Sequence, residues 1–133
     1  MEHREIALRS KSRTEMIDIT GRLSALVQEA KVQRGVLTVF VPHTTAAVTI
    51  NENADPSVQH DILSELNRLI PFNGAYQHTE GNSAAHVKCT LLGASQTIFI
   101  KEGNLALGTW QGVYFCEFDG PRSRKIWVKI VPD

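Results

Sequence analysis

Apolar residues recur at two different periods along the chain, and the changes of period mark its elements. Leu23, Leu26, Val27 and Ala30 stand at helical spacing, the stripe of an amphipathic helix with Thr20 ahead of it as N-cap. Residues 36–41 (VLTVFV) follow Gly35 and are apolar on both faces and β-branched. That predicts a central strand covered on both sides. Pro42-His43-Thr44-Thr45 separates it from a second strand over 46–50. Asp55-Pro56 has the chemistry of a helix start, a capping carboxylate followed by proline at the first helical position. Val58, Ile62, Leu66 and Leu69 continue that helix as one stripe, and Pro71 closes it.

Residues 72–80 carry no period, whereas 82–92 are small, helix-compatible and end at Gly93. Three strand candidates remain, 96–100, 113–118 and 124–131. Asp119-Gly120-Pro121 joins the last two, which predicts a hairpin. Helices and strands alternate early, but the last third is strand alone. The pattern predicts an α+β fold: one compact domain with a largely antiparallel or mixed sheet and two to three helices packed on it.

Composition narrows the function classes. A chain of 133 residues, 42% hydrophobic and 21% charged, fits one folded domain and excludes general disorder. Lys+Arg 14 balance Asp+Glu 14, so the broad basic face demanded by non-specific nucleic-acid binding is missing. No apolar run approaches the ~20 residues of a membrane span, and the opening MEHREIALRS has no signal-peptide core. Cys89 and Cys116 form no CxxC pair and are too few for a disulfide scaffold. The expectation is a soluble cytoplasmic protein with neither a nucleic-acid nor a membrane partner.

The common catalytic signatures GxGxxG, GxxxxGK[ST], HExxH and GxSxG are absent, so any site is built from scattered residues. His43, His78 and His86 lie beside small or hydroxylated residues. Asn82 and His86 share a helix face, Cys89 lies three residues further on, and His78 can fold back over the first turn. Neutral imidazoles suit zinc or a similar divalent metal; ordinary polar residues at a loop–helix junction would give the same spacing. A second cluster, Asn51-Glu52-Asn53-Ala54-Asp55, ends a strand. Asp55 is a cap first, while Asn51 and Glu52 are less easily explained by turn chemistry.

A third lead spans residues 103–124. Alternation puts Glu117 on one face with Val113 and Phe115, and puts Arg122 and Arg124 on the face of Ile126, Val128 and Ile130. Charges aimed at an apolar face must pair or meet a ligand. Either Glu117 pairs with an arginine across the hairpin, or the guanidinium forks form a phosphate site. Thr109, Trp110 and Gln111 sit between Gly108 and Gly112, which let backbone approach a ligand closely.

Taken together, PHTTAAVTINENADP (42–56), HTEGNSAAH (78–86), LLGAS (91–95), GTWQG (108–112) and CEFDGPR (116–122) resemble the YjbQ-like family, also called the secondary thiamine-phosphate synthase family. The resemblance keeps its order over about residues 10 to 131, and GTWQG followed by EFDGPR is its most specific part. It implies a compact α+β homotrimer with polar residues near the subunit interfaces and a bound divalent metal. The motif positions fall on His43, Thr44, Asn51, Asp55, Asp61, His78, Asn82, His86, Thr109, Gln111, Glu117 and Arg122.

The activity so implied joins a hydroxymethylpyrimidine diphosphate to a thiazole phosphate and releases pyrophosphate. Such chemistry needs a cation on the leaving group, phosphate donors and a water-poor pocket. His78 and His86, with His43 as third ligand, would hold the metal, zinc or magnesium; Glu117 and Asp61 are the candidate catalytic acids. Arg122 and Arg124 would hold phosphate, while Asn51, Glu52, Asn82, Thr109 and Gln111 would contact the small phosphorylated metabolite. Imidazole ligands favour zinc over magnesium. Two other functions remain open, a metal-dependent hydrolase of phosphate esters and a non-catalytic trimeric binder of a small anion.

Overall fold

A computed structural model describes residues 2–133 and orders them as β1 (Arg4–Arg9), β2 (Glu15–Asp18), α1 (Thr20–Ala30), β3 (Arg34–Phe40), β4 (Ala46–Glu52), α2 (Pro56–Leu69), α3 (Ser83–Leu92), β5 (Ser95–Lys101), β6 (Asn104–Leu105), β7 (Gln111–Glu117) and β8 (Ser123–Pro132). The strands form two antiparallel sheets, β1-β8-β3-β5-β6 and β2-β7-β4. The α+β class with three helices is as expected. Strands β1, β2 and β6 are additions, although Ile6 and Leu8 of β1 alternate inward as a strand should.

One apolar cluster lies between the sheets. Leu37, Val39, Ile98, Ile126 and Val128 meet Val48, Val113 and Phe115, with Leu23 and Val27 of α1 against them. A second cluster covers the other face of β7, where Tyr114, Cys116 and Phe118 pack with Ala85 and Leu92 of α3 and Leu63 and Leu66 of α2. Residues 112–117 are therefore buried on both faces. This corrects the reading of 36–41. Strand β3 is central in its sheet, but only its inward face is covered, and Phe40 on the other face is 41% exposed. In an antiparallel sheet one face commonly stays in water, so β-branching alone did not say which strand was covered twice.

The hairpin expectation also fails. Strand β7 pairs with β2 and β4, whereas β8 pairs with β1 and β3. The turn exists, but it carries the chain from one sheet to the other. It is pinned by Phe118 N–H to the Thr45 carbonyl at 3.2 Å and Gly120 N–H to the Arg13 carbonyl at 3.0 Å. Gly120 is needed there because a β-carbon would stand 2.2 Å from the Ser12 carbonyl oxygen.

Helix starts divide in the same way. Asp55 caps α2 as expected, its carboxylate accepting from Ser57 N–H at 2.9 Å with Pro56 next in the chain. Thr20 is not a cap: Asp18 accepts from the Thr20 N–H at 2.9 Å, and the Thr20 hydroxyl takes the Val113 N–H at 2.8 Å, tying α1 to β7. Helix α2 has no fully buried residue. Its stripe is real but only half covered.

Candidate functional site

The start of α3 gathers three of the expected residues. Asn82 is the N-cap, and its carbonyl accepts from Ala85 N–H at 3.0 Å and from His86 N–H at 3.4 Å. His78 folds back as expected, its ring edge-on to that of His86 with centroids 5.5 Å apart. Ala75, Tyr76, Ser83 and Val87 complete an open concavity around the two rings. Asp119, which the sequence reading passed over as a turn residue, accepts from Asn82 Nδ2 at 3.0 Å. Asn82 Oδ1 is left buried without a hydrogen-bond partner. A buried acceptor without a donor costs free energy unless a ligand or water supplies one.

Arg122 does not reach the apolar face. It precedes β8, its side chain is 53% exposed, and it donates to the Asp119 carbonyl at 2.7 Å and the Asp119 carboxylate at 3.0 Å. Alternation places a side chain only within a strand, and here the strand begins one residue later. Asp119 thus joins Asn82 to Arg122, and most of the guanidinium remains free for an anion.

Glu117 and Arg124 are the ion pair, buried between the two sheets. Arg124 Nε donates to Glu117 Oε1 at 2.8 Å, and its Nη2 bonds Glu117 Oε2 and the Thr45 hydroxyl, the latter at 2.8 Å. Ser10 donates to Oε1 at 2.6 Å and the Asp119 N–H to Oε2 at 3.0 Å. Burial alone would raise the carboxyl's pKa, but these donors hold it below its ordinary value. Both carboxylate oxygens are taken, so the catalytic and phosphate-holding roles expected of Glu117 and Arg124 give way to a structural one. Of the two readings the sequence left open, the Glu117–arginine ion pair is the one observed, with Arg124 as the partner and two sheets in place of a hairpin.

His43 lies in the loop before β4, with Nε2 3.0 Å from the Lys125 nitrogen and 3.1 Å from its carbonyl oxygen. Burial, then the nearby Arg124 charge, pushes its pKa down, favouring the neutral imidazole that a metal requires. Among the described residues, no group of three or more His, Cys, Asp or Glu side chains lies close enough to hold a metal ion. His78 and His86 supply two ligands of a kind that suits zinc, and a structural or catalytic zinc takes three or four from protein. The fit is half of a site.

The remaining candidates sit elsewhere. Asn51 and Glu52 end β4, opposite Gly112 and Gln111 at the start of β7. Gln111 Oε1 accepts from Gly108 N–H at 2.8 Å, and Asn53 N–H donates to the Trp110 carbonyl at 2.9 Å, leaving the Trp110 ring 63% exposed on a braced turn. Thr109 is exposed beside it. At ~3.3 Å per residue, Gln111 and Glu117 are roughly 20 Å apart along β7. Asp61 belongs to neither group; it is an exposed residue on α2, bordering an apolar concavity with Val58, Ile62 and Leu66. One chain therefore divides the expected site between the two ends of its smaller sheet.

Two further features escaped the sequence reading. Lys88 is fully buried, its ammonium donating to Asn67 Oδ1 at 2.7 Å and lying 4.2 Å from the Phe72 ring centroid. Burial, with Arg13 nearby, brings its pKa down to about 8. On a helix in sequence it looks like any surface lysine. Burial also raises both thiols, Cys89, whose Sγ–H donates to the Ala46 carbonyl at 2.9 Å, and Cys116, which is pushed up to about 12.

The family model described as UPF0047 protein YjbQ-like matches residues 4–133. A UPF0047 protein of Methanocaldococcus jannaschii is 54% identical over 126 residues, 95% of this chain and 91% of that one. The UPF0047 protein YugU of Bacillus subtilis is 46% identical over 95% of this chain and 96% of its own. Among solved structures, a YjbQ/UPF0047-family protein of Clostridium acetobutylicum superposes with a TM-score of 0.94 at 54% identity, covering 96% of this chain and 98% of that one. A protein of Aeropyrum pernix reaches 0.95 at 35% identity with both chains covered in full.

Proposed function

The chain belongs to the YjbQ-like UPF0047 family, and on that footing we propose that it is a secondary thiamine-phosphate synthase whose site is completed between copies of a homotrimer. The observation that carries the reading is the buried, unpartnered Asn82 Oδ1 beside the Asp119–Arg122 pair. That arrangement offers an acceptor for a ligand N–H, such as the amine of an aminopyrimidine, next to a guanidinium for a phosphate. In the reaction, the thiazole nitrogen forms a bond to the pyrimidine methylene carbon as the bond to pyrophosphate breaks. Arg122 holds phosphate, steadied by Asp119, and Asn82 orients the pyrimidine. A divalent metal on His78 and His86, with its remaining ligands from the next copy or the substrate, would neutralise charge on the diphosphate.

The division of the candidates between the two ends of the small sheet supports a shared site. A contact between opposite ends of like chains is heterologous, and a rotation of one third of a turn per copy closes it as a ring of three. Asn51, Glu52, Thr109 and Gln111 of the next copy then face the imidazoles. The exposed Trp110 on its braced turn is a large apolar side chain that such a contact would cover.

The test supplies both substrates with Zn²⁺ or Mg²⁺ and follows thiamine phosphate and pyrophosphate. Absence of both products sinks the synthase reading. Mixing His86→Ala with Gln111→Ala chains should restore about a quarter of the wild-type sites if copies share them, and none if each chain is self-sufficient. The imidazole pair also favours a second reading, hydrolysis of a phosphate ester at zinc; phosphate release from one substrate alone, without coupling, would select it.

A further inference from the structure

Residues 71–82 link α2 to α3 and carry His78, yet they contain no regular element. Long-range contacts hold the segment at its two ends. At the far end Asn82 bonds Asp119. At the near end the Phe72 ring lies between two cations, 3.7 Å from Arg13 Cζ and 4.2 Å from Lys88 Nζ at the centroid. Lys88 continues to Asn67 at the end of α2, and Asn67 Nδ2 reaches the Thr14 hydroxyl at 3.4 Å.

Among the described residues, neither Arg13 nor Lys88 forms a salt bridge. The ring face and one amide oxygen are what meet the buried ammonium. An apolar side chain would fill the same space without taking a charge out of water. What the cation adds is direction, because the ring quadrupole and the Asn67 acceptor fix where Phe72 and α3 stand relative to each other. The attachments lead to the candidate site. Lys88 lies two residues beyond His86 on α3, and the Arg13 carbonyl accepts from the Gly120 N–H of the turn that carries Asp119 and Arg122.

We propose that Arg13, Phe72 and Lys88 form a clasp that positions His78 against His86, with Lys88 acting as a positioning residue. The proposal rests on the His78–His86 pair being the working part of the site, as argued above. It goes further in assigning a role to three residues that touch no ligand. The clasp sets the entry angle of the 71–82 segment, and the Asn82–Asp119 bond sets its exit.

The test compares Lys88→Met, Phe72→Leu and the ring-retaining Phe72→Tyr with the wild type by two readouts. The first is the nuclear Overhauser contact between the His78 and His86 ring protons, which needs no metal; the second is affinity for Zn²⁺ alone. Lys88→Met and Phe72→Leu should lose the ring contact and bind zinc at least tenfold more weakly, while Phe72→Tyr should keep both properties. Lys88→Met should be no less stable to urea at neutral pH, which a merely structural lysine would not allow. An intact ring contact in both disruptive variants overturns the clasp. If Lys88→Met fails to fold, the Leu and Tyr replacements of Phe72 decide alone. Wild-type protein that shows the ring contact but binds no zinc leaves the clasp standing and removes the metal reading.

Discussion

Glu117 ends the central strand of the smaller sheet and Arg124 stands second in an interior strand of the larger one, and the bonds between them join the two sheets. Both carboxylate oxygens have donors, Ser10 and Arg124 on Oε1 and the Asp119 N–H and Arg124 on Oε2, while the Thr45 hydroxyl accepts from the guanidinium. Removing one partner leaves the other charged, buried and alone. Arg124→Met is expected to cost about 3–5 kcal/mol in urea unfolding. Since the folded pKa of Glu117 lies below its ordinary 4.5, its contribution is present above the unfolded value and is lost as pH falls through the folded one. Wild type should therefore lose its advantage over Glu117→Gln on acidification below about pH 4.5; a constant difference would mean that the carboxylate is not held as described.

Arg122 makes the opposite case. Its side chain is half exposed and rests on Asp119, so its loss should barely change stability. Arg122→Lys keeps the charge but not the fork. Phosphate or substrate affinity should fall about tenfold, ~1.4 kcal/mol. Calorimetric titration with inorganic phosphate checks this, and a destabilised variant with unchanged affinity would contradict it.

Assembly is checked by light scattering at micromolar concentration, where a mass of three chains is expected. Trp110→Ala should shift the population toward monomer, since the exposed indole is the anchor argued to be covered by the next copy. A clean wild-type monomer would remove the shared site along with the ring.

Lys88 gives a pH signature of its own. Its folded pKa of about 8 lies below the ordinary 10.5, so between those values the unfolded chain keeps a proton that the folded chain has released. Stability must rise with pH across that window, and the cost of the buried charge is full below it. Relative to Lys88→Met, wild type should gain on the order of 2 kcal/mol, less than the whole shift implies because the half-buried Phe72 admits some solvent screening. A flat difference across the window would mean that the ammonium is not desolvated in solution.

How much of this was legible depends on whether the signal was local. Asp55-Pro56 announced a helix start because the cap acceptor and its donor are two residues apart. The return of His78 over α3 could be read from a short turn, and the 5.5 Å ring contact bears it out. The hairpin could not be judged in the same way. Asp119-Gly120-Pro121 specifies a reversal, but which strands pair depends on Arg13, Ser10 and Thr45, residues more than seventy positions away. The exchange of roles between β3 and β7 has the same origin: both runs are apolar throughout, and only the packing of α2 and α3 on one sheet decides which is covered twice. Lys88 was invisible because its partners, Asn67 and Phe72, belong to a separate helix and loop.

The state of the two thiols has a practical side. Cys116 is pushed up to about 12 and Cys89 is raised with its Sγ–H bonded to a carbonyl, so neither supplies an appreciable thiolate near neutrality. Maleimide and iodoacetamide reagents should pass over the folded native chain. A cysteine placed at Thr109 would then be the one reactive sulfur per molecule, and a fluorophore attached there would report directly on whether the Trp110 turn is open to water or covered by another copy.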